Sequence, residues 1–216
     1  QGLEGMPPVE ECRRAIREEL GLAPEVRMGI GVDRLDYTKG ILERFSAIER
    51  FLELNPDWVG RLSFVQIAAP SRASIDEYQS LDARVRAAAG RINHRFGSAA
   101  CKAIDLRIEH HDSRRVYAFY RAADFCFVSS LHDGMNLVAK EYVATREDER
   151  GVLILSQFAG AARELPEALI VNPYDTEQCA AAVATALAMP PDEQRARMRS
   201  MRGLLQEFNV YRWAGR

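Results

Sequence analysis

The chain has 216 residues, 47% hydrophobic and 28% charged, which is the make-up of a globular protein able to bury a sizeable core. A net charge of −2 gives no basic surplus, which disfavours a general nucleic-acid binder and requires any cationic site to be local. No apolar run approaches the ~20 residues that a membrane-spanning helix needs, which argues against a membrane partner.

Residues 1–25 read as a loose leading segment. VRMGIGV (26–32) predicts a first strand. After Lys39, residues Ile41, Phe45, Ile48 and Leu52 fall on one helical stripe, and Asn55-Pro56 should end that helix. RLSFVQIA (61–68) predicts the second strand, and 74–96 a long charged helix. DLRIEH (105–110) is the third strand, followed by a helix over 113–122 that carries Val116, Tyr117 and Tyr120. DFCFVSS (124–130) is the fourth strand, and 137–145 the next helix. GVLILS (151–156) and ALIVN (168–172) complete the strands, with helices over 176–189 and 192–208 closing the chain.

Strands alternating with helices predict an α/β fold, a doubly wound, mostly parallel, Rossmann-like sheet. Runs with little polar alternation fit strands buried on both faces. The four cysteines show no CxxC pair and no zinc-ligand spacing. Cys126 in FCFV and Cys179 in an alanine-rich run read as small buried hydrophobes, as expected in a reducing compartment. The opening QGLEGMPPVEE lacks a charged-then-apolar signal layout, and a cytoplasmic location is expected.

In doubly wound folds ligands bind beyond the carboxyl ends of the strands. Those loops are DRLDYTKG, APSR, HHDSR, LHDGMN and QFAGAA, and charge and glycine concentrate in them. In GVDRLDYTKG (31–40), Arg34 and Lys39 read either as surface charges paired with Asp33, Asp36 or Glu43, or as a guanidinium and an ammonium that hold a diphosphate. In LHDGMNLVAKE (131–141), Asp133-Gly134 turns the chain and Asn136 is an N-cap for the following helix. The helix start suits phosphate or sugar hydroxyls, and Glu141, one turn in, could point back to the same pocket; the alternative is a turn, a cap and an exposed glutamate. No DxD pair or histidine cluster suggests a metal. A dinucleotide-binding Rossmann domain is disfavoured because no GxGxxG follows the first strand.

GVDRLDYTKG, DGMNLVAKEYVA, LSQFAGAA and ALIVNPYD together resemble the trehalose-6-phosphate synthase family, retaining glycosyltransferases of the two-Rossmann GT-B fold. The likeness runs from about Val26 to Trp213 and is to the carboxyl-terminal, donor-binding half. It implies a donor domain over 26–190 and, over 191–216, a helix that packs toward the amino-terminal domain. It implies UDP-glucose as donor, glucose 6-phosphate as acceptor, no cofactor and no metal.

Residue by residue, the resemblance implies that Arg34 and Lys39 hold the donor diphosphate and act as electrostatic catalysts. Asp133 would hold glucose hydroxyls, with Gly134, Met135 and Asn136 lining the sugar through their backbone. Leu137, Val138, Ala139 and Lys140 would lie along the phosphates and ribose, and Glu141 would bind the ribose. Arg72 would reach the acceptor phosphate, His111 would meet uracil through its backbone, and His110 is either a wall of that pocket or a buried structural histidine. Glucosylglycerol-phosphate synthases share these motifs, and a nucleotide-sugar-binding module without turnover is the alternative from another class. The isolated half is expected to bind without turnover. Its tail, with Leu204, Leu205, Phe208, Tyr211 and Trp213, is expected to be mobile or to self-associate, which leaves a homo-oligomer open.

Overall fold

The computed structural model describes residues 3–71 and 75–214. Arg72 and the tail side chains Phe208, Tyr211 and Trp213 lie outside what it describes. In chain order the elements are α1 (Val9–Glu19), β1 (Arg27–Arg34), α2 (Ile41–Leu54), β2 (Leu62–Ala69), α3 (Ile75–Phe96), β3 (Ile104–Ile108) and α4 (Ser113–Ala122). Then come β4 (Phe125–Val128), α5 (Leu137–Thr145), β5 (Val152–Ser156), β6 (Leu169–Val171), α6 (Thr176–Ala188) and α7 (Pro191–Ala214).

The strands form one sheet in the order β3-β2-β1-β4-β5-β6, and every pairing is parallel. The fold is therefore the expected doubly wound α/β sheet. Strand order reverses between β1 and β4, and a crevice opens there at the carboxyl ends.

Alternation along each strand explains the continuous apolar runs. Phe125 and Phe127 of β4, with Val152 and Ile154 of β5, pack under α2, α3 and α6. Cys126 and Val128, with Leu153 and Leu155, face α4, α5 and α7 on the other side. Successive side chains point to opposite faces, so a strand covered on both sides has to be apolar at every position. All four cysteines are buried and free, and burial pushes the Cys179 thiol up to about 11. Among the described residues no helix is long and apolar enough to cross a membrane.

The leading segment departs from the sequence reading, because α1 is a helix. Val9, Cys12 and Ile16 form one buried stripe, Glu10 and Glu11 occupy the first turn and Arg17 the last, which suits the helix dipole. The helix docks on α4, and Arg13 reaches the Ala122 carbonyl at 3.0 Å and Asp124 at 2.9 Å. A short stripe among seven charged residues gives little signal until a neighbouring helix covers it. At the other end, α7 packs on α5 through the buried Met198 and Met201.

Candidate functional site

Three loops at the carboxyl ends are tied together by backbone bonds. After β1 the chain makes a 3-10 turn over Tyr37–Lys39, capped by Asp36, whose carboxylate accepts from the Thr38 amide at 2.8 Å. The Thr38 carbonyl accepts from the Leu131 amide at 2.7 Å and so links this loop to the one after β4. That second loop is bound to the loop after β5 by a parallel bridge between Asp133 and Ala159, with Gly160 N–H donating to the Asp133 carbonyl at 2.8 Å.

Between these loops lies a cleft of about 460 Å³ at the β1/β4 switch point. Arg34 lines it from the last position of β1 and Lys39 from the first loop, with Asp133, Met135, Asn136, Leu137 and Val138 from the β4 loop and α5. His111 and Glu109 close the side beyond β3. The structure thus gathers eight of the expected site residues into one cleft.

The centre of the cleft is an ion pair. Lys39 Nζ donates to Asp133 Oδ2 at 2.7 Å, and both side chains are largely buried. Asp133 also accepts from the amides of Met135 at 3.3 Å and Asn136 at 3.1 Å, and from Asn136 Nδ2 at 3.1 Å. Burial works to raise its carboxyl, but the Lys39 bond and charge and the Asn136 side chain outweigh it and hold the group below its usual range. Among the described residues Arg34, exposed at the mouth, makes no ion pair, although its charge helps to lower the nearby Asp36 carboxyl.

Asn136 caps α5 as expected, accepting from the Ala139 amide at 2.9 Å, but the strained backbone is its own. Its φ is 61°, whereas Gly134 avoids the left-handed region and has open space around it. The freedom to turn is supplied by an asparagine held by Asp133, a residue type that tolerates this conformation. The amides of Leu137 and Val138 have no partner among the described residues and sit at the positive end of the α5 dipole.

Other expected residues are placed differently. His110 is exposed and outside the lining, so it is neither a wall of the cleft nor a buried histidine. The His111 ring is the buried one, packed on Phe119 at 6.0 Å with Nε2 3.2 Å from Glu109 Oε1. Ala139 is buried with its amide used in the cap, and Lys140 is paired with Glu164 at 2.7 Å. Glu141 stands outside the lining beside Tyr117 and Tyr120, and burial raises its carboxyl, the Tyr120 hydroxyl pulling back to a lesser degree. Sequence reasoning passed over Asp33, Glu109 and Val116 as lining residues. Glu109, near the end of a predicted strand, and Asp33, first in the DRLDYTKG loop, both stand at the functional rim and could have been suspected, whereas Val116, on a predicted helix, carries no such mark.

The depressed Asp133 carboxyl makes a prediction. Such a group contributes stability that is complete above its unfolded value of about 3.9 and is lost as pH falls through the folded value. Asp133→Asn should therefore flatten the acid limb of stability, read as urea midpoints against pH. An acid limb identical to wild type would show that the Lys39–Asp133 pair contributes nothing.

A second cavity of about 350 Å³ lies at the opposite end of the sheet. Its charges largely cancel, Asp124 with Arg13 at 2.9 Å and Arg146 with Asp148 at 2.9 Å.

With this geometry in view, the profile of Glycosyltransferase family 20 matches residues 4–216. The chain is 46% identical over 186 residues to a trehalose-6-phosphate synthase of Klebsiella pneumoniae, covering 86% of this chain and 39% of that one. It is 39% identical over 211 residues to a UDP-forming α,α-trehalose-phosphate synthase of Pichia angusta, covering 98% of this chain and 44% of the relative. Among solved structures, the UDP-forming synthase of Burkholderia xenovorans in complex with glucose-6-phosphate superposes with a TM-score of 0.89 at 42% identity, over 99% of this chain and 46% of that one. A trehalose-6-phosphate structure from E. coli bound with UDP-2-fluoro glucose gives 0.88 at 39% identity, over 98% and 46% of the two chains. The chain spans less than half the length of each of these relatives.

Proposed function

The chain belongs to glycosyltransferase family 20, and from that premise we propose that it forms the donor-binding half of an α,α-trehalose-phosphate synthase. The whole enzyme would move glucose from UDP-glucose to glucose 6-phosphate with retention, releasing UDP. The observation that carries this reading is the cleft at the switch point, where a guanidinium free of any close ion pair, an ammonium and two unpaired helix-start amides converge.

An ammonium has three donors, and Asp133 uses one of those on Lys39. The remaining two, with the Arg34 fork and the Leu137 and Val138 amides, suit the oxygens of a diphosphate. Departure of the nucleoside diphosphate concentrates negative charge on those oxygens, so cations fixed beforehand stabilise the transition state more than the bound donor. Asp133, with Gly134, Met135 and Asn136, is assigned to the glucose. Its four bonds fill the acceptor sites of a carboxylate, so a sugar hydroxyl reaches it by replacing one of them, the 3.3 Å Met135 amide contact being the longest. His111 is assigned to the base side and Glu141 to the ribose. The division into a donor domain and a closing helix after 190 is part of the same proposal.

Calorimetry of UDP and uridine against the 216-residue chain tests it. UDP should bind more tightly than uridine, and the difference should shrink as salt is added. Equal affinity would overturn the diphosphate assignment. Incubation with UDP-glucose and glucose 6-phosphate then asks whether these residues turn over by themselves; we propose that they bind donor and release no UDP until the other half completes the cleft. Glu141→Gln should weaken UDP and uridine by the same factor and leave the salt dependence alone, since its assigned partner is the ribose.

A further inference from the structure

A polar network lies directly beneath the first loop. Arg44, on α2, has no solvent exposure. Its Nη1 donates to Asp33 Oδ2 at 2.6 Å and to Gln66 Oε1 at 2.7 Å, its Nε to Ser129 Oγ at 3.0 Å, and its Nη2 to the Lys39 carbonyl at 3.3 Å. Gln66 Nε2 returns a bond to Asp33 Oδ2 at 3.2 Å, and Ser129 Oγ donates to the Gly40 carbonyl at 2.7 Å. One guanidinium therefore joins β1, β2 and the end of β4 to the backbone of the residue that carries the cleft ammonium.

Stability alone does not account for this arrangement. A buried ion pair is often no better than well-packed apolar side chains of similar volume. The network also obliges β1 to carry Gly31, since a Cβ there would collide with Arg44 Nη1 and Gln66 Oε1. Asp33 is at the same time a lining residue of the cleft. Burial raises its carboxyl, and the charge and hydrogen bonds of Arg44 offset this only in part, so the Arg44 partner favours its ionised form.

We propose that Arg44 is a positioning residue for Lys39. Its fork fixes the Lys39–Gly40 turn against β4 and cancels the Asp33 charge on the cleft floor, so that the ammonium is held where a diphosphate can meet it. This rests on the donor reading of the cleft. The role needs a planar group that reaches four acceptors on three strands and a loop, and a lysine ammonium, with three donors around one point, cannot span them.

The experiment is calorimetry of UDP and of uridine against wild type, Arg44→Lys and Ser129→Ala, with urea unfolding to establish that each variant is folded. Arg44→Lys should lower UDP affinity about tenfold while uridine stays within about twofold, because only the diphosphate meets Lys39. Ser129→Ala, which removes one hydroxyl from the network, should lower UDP about threefold with the same selectivity and decides the matter if Arg44→Lys does not fold. Folded variants that keep the wild-type ratio of UDP to uridine affinity, or lose both ligands by one factor, would reduce the network to a structural support and overturn the inference. A wild type that binds UDP no better than uridine would instead overturn the donor reading beneath it.

Discussion

Lys39→Ala should weaken UDP more than Arg34→Ala does. Each substitution removes a charge-assisted contact worth roughly 1.5–3 kcal/mol, so Arg34→Ala should weaken UDP about tenfold or more. Lys39→Ala does this and also strips Asp133 of the cation 2.7 Å away, leaving a carboxylate in the cleft beside the incoming diphosphate. The loss should therefore reach about 30-fold, and Lys39→Ala/Asp133→Asn should recover part of it because the repelling charge has gone. In a chain that carries both halves, kcat should fall by about 100-fold with either alanine, since the leaving group is more highly charged in the transition state than in the donor. Calorimetry of wild type and the three variants decides the affinity claim. If Lys39→Ala binds UDP as wild type does, the first loop is a charged turn and nothing more.

Gly40→Ala should destabilise the protein by about 2–4 kcal/mol, a sum of left-handed strain and overpacking. Gly40 sits at φ 64°, where it ends the 3-10 turn and starts α2, and a Cβ would overlap the Ser129 carbonyl oxygen. That oxygen is main chain at the end of β4 and has little room to give. Gly134→Ala is the control. Its backbone is outside the left-handed region and nothing lies within 4 Å of the added carbon, so the change should be within about 0.5 kcal/mol. Urea unfolding measures both. A Gly40→Ala variant as stable as Gly134→Ala would mean that the turn relaxes freely and that Lys39 is not fixed by its backbone.

The sheet, and the helices between its strands, were legible because each carries its own local signature. Strands buried on both faces are apolar at every position, and the stripe Ile41, Phe45, Ile48, Leu52 repeats at the helical period, all four residues being buried in the core. Helix α5 and its Asn136 cap were readable from one short motif. The missing information was non-local. Nothing in the neighbourhood of Lys39 identifies its partner, which lies 94 positions along the chain and not among Asp33, Asp36 or Glu43. Arg44 lies in ILERFSAIERF beside Glu43, where a charge reads as solvated; its burial follows from the approach of Ser129 and Gln66 from other strands. The short stripe of α1 likewise acquires meaning from α4, which covers it.

The bridge between Asp133 and Ala159 bears on how this site could be re-engineered. Gly160 is pressed so closely on the Gly134 carbonyl that a Cβ would overlap it, and the Ala161 amide donates to Met135 at 2.9 Å. The loop after β4, assigned above to the glucose, and the loop after β5 are in effect one part made from two stretches of chain. A graft that exchanges residues 131–137 alone would set new side chains on a foreign backing. Transplanting donor preference from another scaffold would call for 157–162 to travel with them, as a matched cassette.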